Sequence, residues 1–509
     1  MSVYSLRLRR KKRKEDSSKI HPPSHRHAAP SAPWPWVDIQ DDVDPTQLES
    51  PLPPVPPPCN HKTCEGCWDL YPQSLYPNWT PSQVRKSQIN KAITDYRNDV
   101  PCIIHLVDVD HNGLFKVPEP GKIISDEDRL SKTWEALITS NIPDDNRVRC
   151  LFIENLSGPV LQMLGTRYNI EPFFFSSSLN WIPSRYQEEV RPGEGDHITI
   201  TLTFVRSIAN DENANFRISS QHAMESSPTL TDQEGRSSRK PGIQLAHQMI
   251  DTHAPLALES NGRLLLLDLL SVHLIRRKQG STIISYHANK DLPTTTAPVL
   301  HERIRFAGMY TYLFHLLATN DPTFVLLTFI WHAIYAWDEA LENLYSHICT
   351  LESQVIVTSE MTLTQELHVI RAHLLHYSSL LDDFRKSVIF IRDTENPALE
   401  SLSEAERQEN ASIMNRECSN LLTEIERLEK DRRMQDRRLK NVMGLVFSSV
   451  NIIDSKRMQK MTEAAVRDSA AMKQIAYLTM VFLPASFVAT VFGMNIAEIA
   501  PGTNGTLAH

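Results

Sequence analysis

An α+β cytosolic domain that continues through a long helical stalk into one transmembrane helix is the fold class this sequence predicts, and three observations predict it. Short apolar and alternating runs, separated by turn residues, fill the stretch from about 96 to 300. From Ser403 to Asn495 helix formers dominate, broken only by Pro484 and by Gly444 and Gly493. Gln474–Ala497 is 24 residues without a charge.

The 509 residues leave room for about three domains of ~150 residues. Hydrophobic residues make up 41%, enough for a sizeable core, and 53 basic against 61 acidic residues give a net charge of −8. That mild acidity argues against a nucleic-acid partner for the chain as a whole. Seven scattered cysteines, an odd number, read as a reduced thiol set rather than a disulfide framework. The basic start, Arg7–Lys14, is followed by no apolar signal region.

Taken in order, residues 1–95 read as a disordered, proline-rich and basic tail, with prolines clustered over Pro51–Pro58. The basic run reads as a solvated charged tail, an import signal or a patch for anionic lipid. Within this tail Cys59, His61, Cys64 and Cys67 could close on zinc, although only Cys64 and Cys67 have the usual C-x2-C spacing. Free cysteines are the alternative.

Residues 96–300 are the α/β domain. Pro101–Val109 and Arg149–Ile153 read as buried strands. In His197–Val205, Ile198, Ile200, Leu202 and Phe204 alternate with Thr199, Thr201 and Thr203, which predicts one buried and one polar face. Asn261-Gly262 and Gln279-Gly280 mark hairpins, and the polar stretch Ser219–Pro241 reads as a surface insertion.

Residues 301–402 turn helical. Pro322–Trp337 is uncharged for 16 residues, too short for a comfortable span, and is assigned to a buried helix. Met361–Ile391 is a second helix, ended by Asn396-Pro397. Residues 403–473 form the stalk, 474–496 the transmembrane helix and 497–509 a short outer tail. Stalk and span together, as one helix of about 140 Å at ~1.5 Å per residue, need copies or neighbours to pack against. Lys456, Arg457, Lys460, Arg467 and Lys473 precede the span and no Lys or Arg follows it, which places the N-terminal bulk in the cytosol.

The span is not uniformly apolar. Met472, Ile475, Thr479, Leu483, Ser486, Thr490 and Gly493 recur at steps of 3, 4, 4, 3, 4 and 3. All its serines and threonines lie on this seam, whereas Val481, Phe482, Val488, Val491 and Phe492 lie off it. Such a stripe faces protein or water rather than lipid, as helix-packing surface or as pore wall.

Phe492-Gly493-Met494-Asn495 closes the span, with Phe482-Leu483-Pro484 ten residues earlier. A membrane helix that ends in Gly-Met-Asn, extends a long charged helix and follows an α/β domain resembles the first membrane helix of the CorA-type magnesium and divalent-cation transporters. The resemblance covers about 96–496. Fungal CorA-like proteins are the nearest in style, around Leu179–Arg185 and Asp196–Ile200. It implies a funnel-shaped, homopentameric channel in a lipid membrane, with first helices around the pore and second helices outside them. It implies that Gly493, Met494 and Asn495 form the selectivity motif at the outer mouth. Ser486 matches a polar pore ring, and Leu483, Ile475 and Met472 match apolar constrictions. Thr479 and Thr490 share the pore face, and Glu498 just outside would draw cations. The transported ion is Mg2+ or another divalent cation. No tightly bound cofactor and no enzymatic activity are expected, and the plasma membrane is preferred over an organelle.

The family has a second span soon after the motif. Ile496–His509 contains Pro501, Gly502 and Gly505 and no apolar run, so the chain is expected to be truncated after its first membrane helix. Two other readings remain at this point: a non-conducting single-span scaffold or subunit, and a soluble coiled-coil regulator with a zinc module.

Overall fold

The computed structural model describes residues 67–76, 79, 84–85, 87–96, 100–116, 121–123, 127–139, 146–210, 250–288, 296–308, 319, 321–357 and 361–493. The surface insertion read at Ser219–Pro241 lies outside them. The chain forms two compact units, one of Met1–Ser353 with Gln365–Leu439, the other of Gln354–Thr364 with Lys440–His509.

The first unit is built on a mixed sheet of nine strands among the described residues. In chain order they are β1 (Cys102–Asp110), β2 (Phe115–Lys116), β3 (Gly121–Ile123), β4 (Asn146–Glu154), β5 (Ser184–Arg191), β6 (Gly195–Ala209), β7 (Leu256–Leu258), β8 (Arg263–Arg277) and β9 (Ser281–Tyr286). Across the sheet the order is β2-β1-β4-β9-β8-β6-β5, with β3 on β1 and β7 on β8. Only β4 and β9 run parallel; the other ladders are antiparallel. The two 15-residue strands β6 and β8 pair from Gly195 opposite Arg277 to Ala209 opposite Arg263. Gly262 and Gly280 supply the positive φ, 62° and 68°, at the turns on either side of β8.

Three arginine–carboxylate pairs are buried in this sheet. Arg149 grips Asp108 through Nε and a terminal nitrogen, both at 2.8 Å. Arg206 Nε donates to Asp268 at 2.7 Å, and Arg276 closes on Asp196 while also donating to the Thr394 and Glu395 carbonyls. Full satisfaction makes such charges tolerable inside a fold, and removing one partner is costly.

Two expectations are corrected. The threonines of β6 do not face water: Thr199, Thr201 and Thr203 are as buried as the isoleucines. The helix Phe173–Asn180 lies on that face. Ser177 on it bonds Thr201 at 3.2 Å, and Ser178 bonds Ser271 of β8 at 2.6 Å. The alternation is polar against apolar, but on the polar side Thr199 and Thr201 find hydrogen-bond partners inside the protein. Nor does disorder extend to 95. Tyr71, Trp79, Val84 and Ile89 are buried, and the Tyr71 hydroxyl donates to the Ile170 carbonyl at 2.7 Å. A Cβ at Gly165 would meet the Tyr71 ring at 2.3 Å, so the ring seats where only glycine leaves space. Aromatic anchors in a proline-rich, polar context give no periodic signal, which is why composition misread this stretch.

Among the described residues the α-helices are α1 (Ile89–Thr94), α2 (Glu127–Thr139), α3 (Gly158–Tyr168), α4 (Phe173–Asn180), α5 (Ala297–Gly308), α6 (Thr323–Val357), α7 (Met361–Asp393) and α8 (Glu404–Gly493). Asp321 starts α6 by accepting from the Thr323 backbone N–H at 3.0 Å. As expected, the uncharged Pro322–Trp337 region is buried, with Phe329 stacked on Phe152 of β4 at 5.6 Å. α7 stops at Asp393, and Asn396 caps the short 3-10 helix Pro397–Ser401 that follows, its side chain accepting from Ala398 N at 3.0 Å. In α8 the buried positions Met414, Cys418, Leu421, Ile425, Leu428, Arg432, Gln435 and Leu439 alternate steps of four and three. Gln435 donates to the Leu341 carbonyl at 2.9 Å and Arg432 to the Leu374 carbonyl at 3.1 Å, which ties this part of α8 to α6 and α7.

In the second unit, α8 beyond Val450 is almost wholly exposed within the single chain.

Candidate functional site

A capping box opens α8. Ser403 Oγ accepts from the Glu406 N–H at 3.3 Å, and the Glu406 carboxylate accepts from the Ser403 N–H at 3.0 Å. From there the helix runs 90 residues without a break, through Pro484, to Gly493. Pro484 has no N–H, so it removes the helical donor of the Met480 carbonyl. The helix is long and apolar enough to cross a membrane, and none of its most apolar window is buried by the chain itself.

The seam positions Met472, Ile475, Thr479, Leu483, Ser486, Thr490 and Gly493 all lie on this one helix. At ~100° per residue they fall within an arc of about 80°. Each hydroxyl donates to its own helix: Thr479 to the Ile475 carbonyl at 3.0 Å, Ser486 to Leu483 at 3.0 Å, Thr490 to Ser486 at 2.6 Å. The donor proton is thus used internally, and the oxygen lone pairs stay available to an acceptor-seeking group such as water or a cation. A Cβ at Gly493 would meet nothing within 4 Å, so packing within the chain does not require that glycine. Met494, Asn495 and Glu498 lie outside the described residues.

Of the cysteine–histidine cluster, Cys59, His61 and Cys64 lie outside the described residues. Cys67 lies on the wall of a cleft of about 800 Å3 in the first unit. Arg167, Arg191, Arg276, Arg277 and Lys278 also line this cleft, together with Glu189, Glu194 and Asp196. Burial, then the neighbouring Arg167, lowers the Arg277 guanidinium from its ordinary value.

His197, which also lines the cleft, belongs to a trio that the sequence did not disclose: Glu188, His197 and His273. Burial, then Arg277, pushes His197 down to about 4, and burial holds His273 well below its ordinary value. Burial, then Glu171, raises Glu188 to about 8. Their positions have no motif spacing. Only the register of β5, β6 and β8 brings them together.

Residues 268–507 match the sequence model of the CorA-like Mg2+ transporter protein family. Among solved structures the chain is similar to the complete CorA magnesium transporter from Methanocaldococcus jannaschii, at 13% identity and TM-score 0.41, over 79% of this chain and 90% of that one. It is also similar to the soluble domain of CorA from the same organism, at 10% identity and TM-score 0.38, over 68% and 96%. For the cytoplasmic domain of ZntB from Vibrio parahaemolyticus the values are 7% and 0.31, over 67% and 98%. No curated protein sequence matches the chain.

Proposed function

We propose, from the match of residues 268–507 to the CorA-like Mg2+ transporter protein family, that the chain is a subunit of an oligomeric membrane pore for divalent metal ions, Mg2+ first among them. One observation carries the reading. The apolar end of α8 is bare in the single chain, yet it concentrates its serine and threonine hydroxyls on one face. Exposed apolar surface of this extent is not stable in water. Lipid accounts for the bulky positions, and a shared axis accounts for the hydroxyl face.

In this reading copies of α8, five by family likeness, place their seams around the axis. Asn495 then presents a ring of neutral amide oxygens at the outer mouth, beside Gly493 and Met494. Mg2+ sheds its water reluctantly, so such a ring can hold the hydrated ion without stripping it. The side chains of Leu483, Ile475 and Met472 form apolar rings below, which close by dewetting. Glu498 raises the local cation concentration. The basic residues before the span set the N-terminal bulk in the cytosol, and the membrane is the plasma membrane. The ion passes unchanged, with no bond made or broken, so no enzymatic step is involved.

The test is Mg2+ flux into proteoliposomes, read with an internal indicator, for any form of the protein that conducts. Asn495→Ala is expected to abolish flux while leaving the oligomer intact. Undiminished flux in that variant would remove Asn495 from the selectivity role.

A further inference from the structure

The register of three strands builds a donor cluster on one face of the sheet. Glu188 on β5 stands opposite His197 on β6. Thr199, two residues along β6 and hence on the same face, stands opposite His273 on β8. His273 is therefore the diagonal neighbour of His197, with ring centroids 5.3 Å apart. One carboxylate oxygen and one nitrogen from each ring lie within 4.8 Å of one another.

Three atoms of this cluster are buried and have no hydrogen-bond partner among the described residues: Glu188 Oε1, His197 Nδ1 and His273 Nε2. An unsatisfied buried polar atom costs about 1–3 kcal/mol, so three converging on one point call for a ligand. Glu188 Oε1 and His197 Nδ1 are 4.0 Å apart, too far for a hydrogen bond between them. The other nitrogen of His273, Nδ1, is 2.8 Å from Thr199 Oγ1. Donation from Nδ1 to that hydroxyl leaves Nε2 as a bare lone pair, the arrangement seen when a histidine ligand is oriented from behind.

We propose that Glu188, His197 and His273 form a binding site for a zinc-class divalent ion, resident in the sheet and distinct from the ions that permeate. Two imidazoles and one carboxylate are a donor set for Zn2+ or Co2+. Mg2+ demands oxygen ligands in octahedral array and is not served by it. Tetrahedral bonds of ~2.0 Å place ligand atoms about 3.3 Å apart, so the three side chains need to close by about 1 Å. His197 lines the cleft, which gives the ion a route in and the fourth coordination position a water. Arg277, which also lines the cleft and acts on His197, repels any cation there. The site therefore favours an ion whose bonds to imidazole nitrogen outweigh that repulsion, and this again selects the zinc class over Mg2+. A bound ion would join β5, β6 and β8 at one point.

The test uses the full chain in detergent, stripped with EDTA, with Cys59, Cys64 and Cys67 replaced by serine so that thiolates do not contribute. Co2+ titration is expected to give one equivalent per chain with the visible absorption of a tetrahedral nitrogen–oxygen site. Zn2+ should displace it, millimolar Mg2+ should not, and the melting temperature should rise with Zn2+. E188Q and H197Q should weaken Co2+ binding at least tenfold. Should either variant melt early without metal, the unsubstituted histidines report instead. Zn2+ should slow hydrogen–deuterium exchange at the ring carbons of His197 and His273, read by mass spectrometry. Absence of the Co2+ band, equal affinity in well-folded E188Q and H197Q, or unchanged exchange at both rings would overturn the site.

Discussion

Among the described residues two helices are long and apolar enough to cross a membrane, and the chain treats them in opposite ways. In α6, over Thr323–Val355, 78% of the most apolar window is buried within the protein, whereas in α8 the corresponding share is 0%. The polar groups explain the difference better than the apolar ones. Several on α6 have partners elsewhere in the same chain: His332 lies 2.7 Å from Arg206, His347 lies 2.7 Å from Ser260 and 2.9 Å from Glu366, and Asn343 donates to Ser207 at 3.2 Å. On α8 after Gln474 the serine and threonine hydroxyls bond backward to their own helix. A helix whose polar side chains are met by its own fold is a core element. One whose polar side chains share a face with nothing opposite them awaits copies or water.

The largest effect should come from truncating an aromatic ring in each helix. Phe329 on α6 is fully buried and Phe487 on α8 is 67% exposed. Phe329→Ala should cost about 3–5 kcal/mol, through lost transfer energy and the cavity left behind. Phe487→Ala should stay below about 1 kcal/mol. Chemical denaturation of the full chain in detergent, followed by near-ultraviolet circular dichroism, measures both. Equal costs would erase the distinction between the two helices.

A smaller effect sharpens the α8 side of the comparison. In a conducting form, Leu483→Ser should raise basal ion flux several-fold, because a hydroxyl eases wetting of an apolar constriction. Val488 lies off the seam. Val488→Ser should leave the gate closed and cost stability of about 1 kcal/mol, by turning a hydroxyl toward lipid or a neighbouring helix. Paired flux and melting measurements decide it. If Val488→Ser opened the pore and Leu483→Ser did not, the seam would face the wrong way.

Local signals made much of this fold legible. The apolar run at Pro101–Val109, the Asn261-Gly262 and Gln279-Gly280 turns, the buried helix after Pro322 and the stop at Asn396-Pro397 each rest on a few contiguous residues. The seam on α8 was legible for the same reason, since helical spacing is a local property. What escaped was non-local. Thr199, Thr201 and Thr203 read as solvent-facing because nothing in their own strand reveals that Ser177 and Ser178 will cover them. Tyr71 and Trp79 read as tail because their partners, Ile170 and Glu171, lie about a hundred residues away. Glu188, His197 and His273 are three unremarkable positions until strand register sets them side by side.

The smallest expected effect separates buried helix from exposed span by pH. Residues 474–493 contain no carboxylate, imidazole or amine, so the span adds nothing to acid sensitivity. The helices that the chain buries for itself do contain such groups. His373 on α7 is 3% exposed, edge-on to the Tyr377 ring at 5.8 Å. Burial, then the neighbouring His376, pushes its ring down to about 4, with Asp251 working the other way and His253 with the burial. In the unfolded chain a histidine titrates near ~6.5. Between these values the unfolded state binds the extra proton, so stability falls as pH drops from about 6.5 toward 4. His373→Gln removes that proton and keeps a polar side chain of similar reach. Relative to its own stability at neutral pH, this variant should therefore lose about 1 kcal/mol less than the unsubstituted protein on acidification to about pH 5.5. The difference of differences, taken from denaturation midpoints at the two pH values, cancels the other titrating groups. Identical pH profiles would mean that His373 is protonated as readily in the folded chain as in the unfolded one, and hence that α7 is wetter at this position than its burial implies.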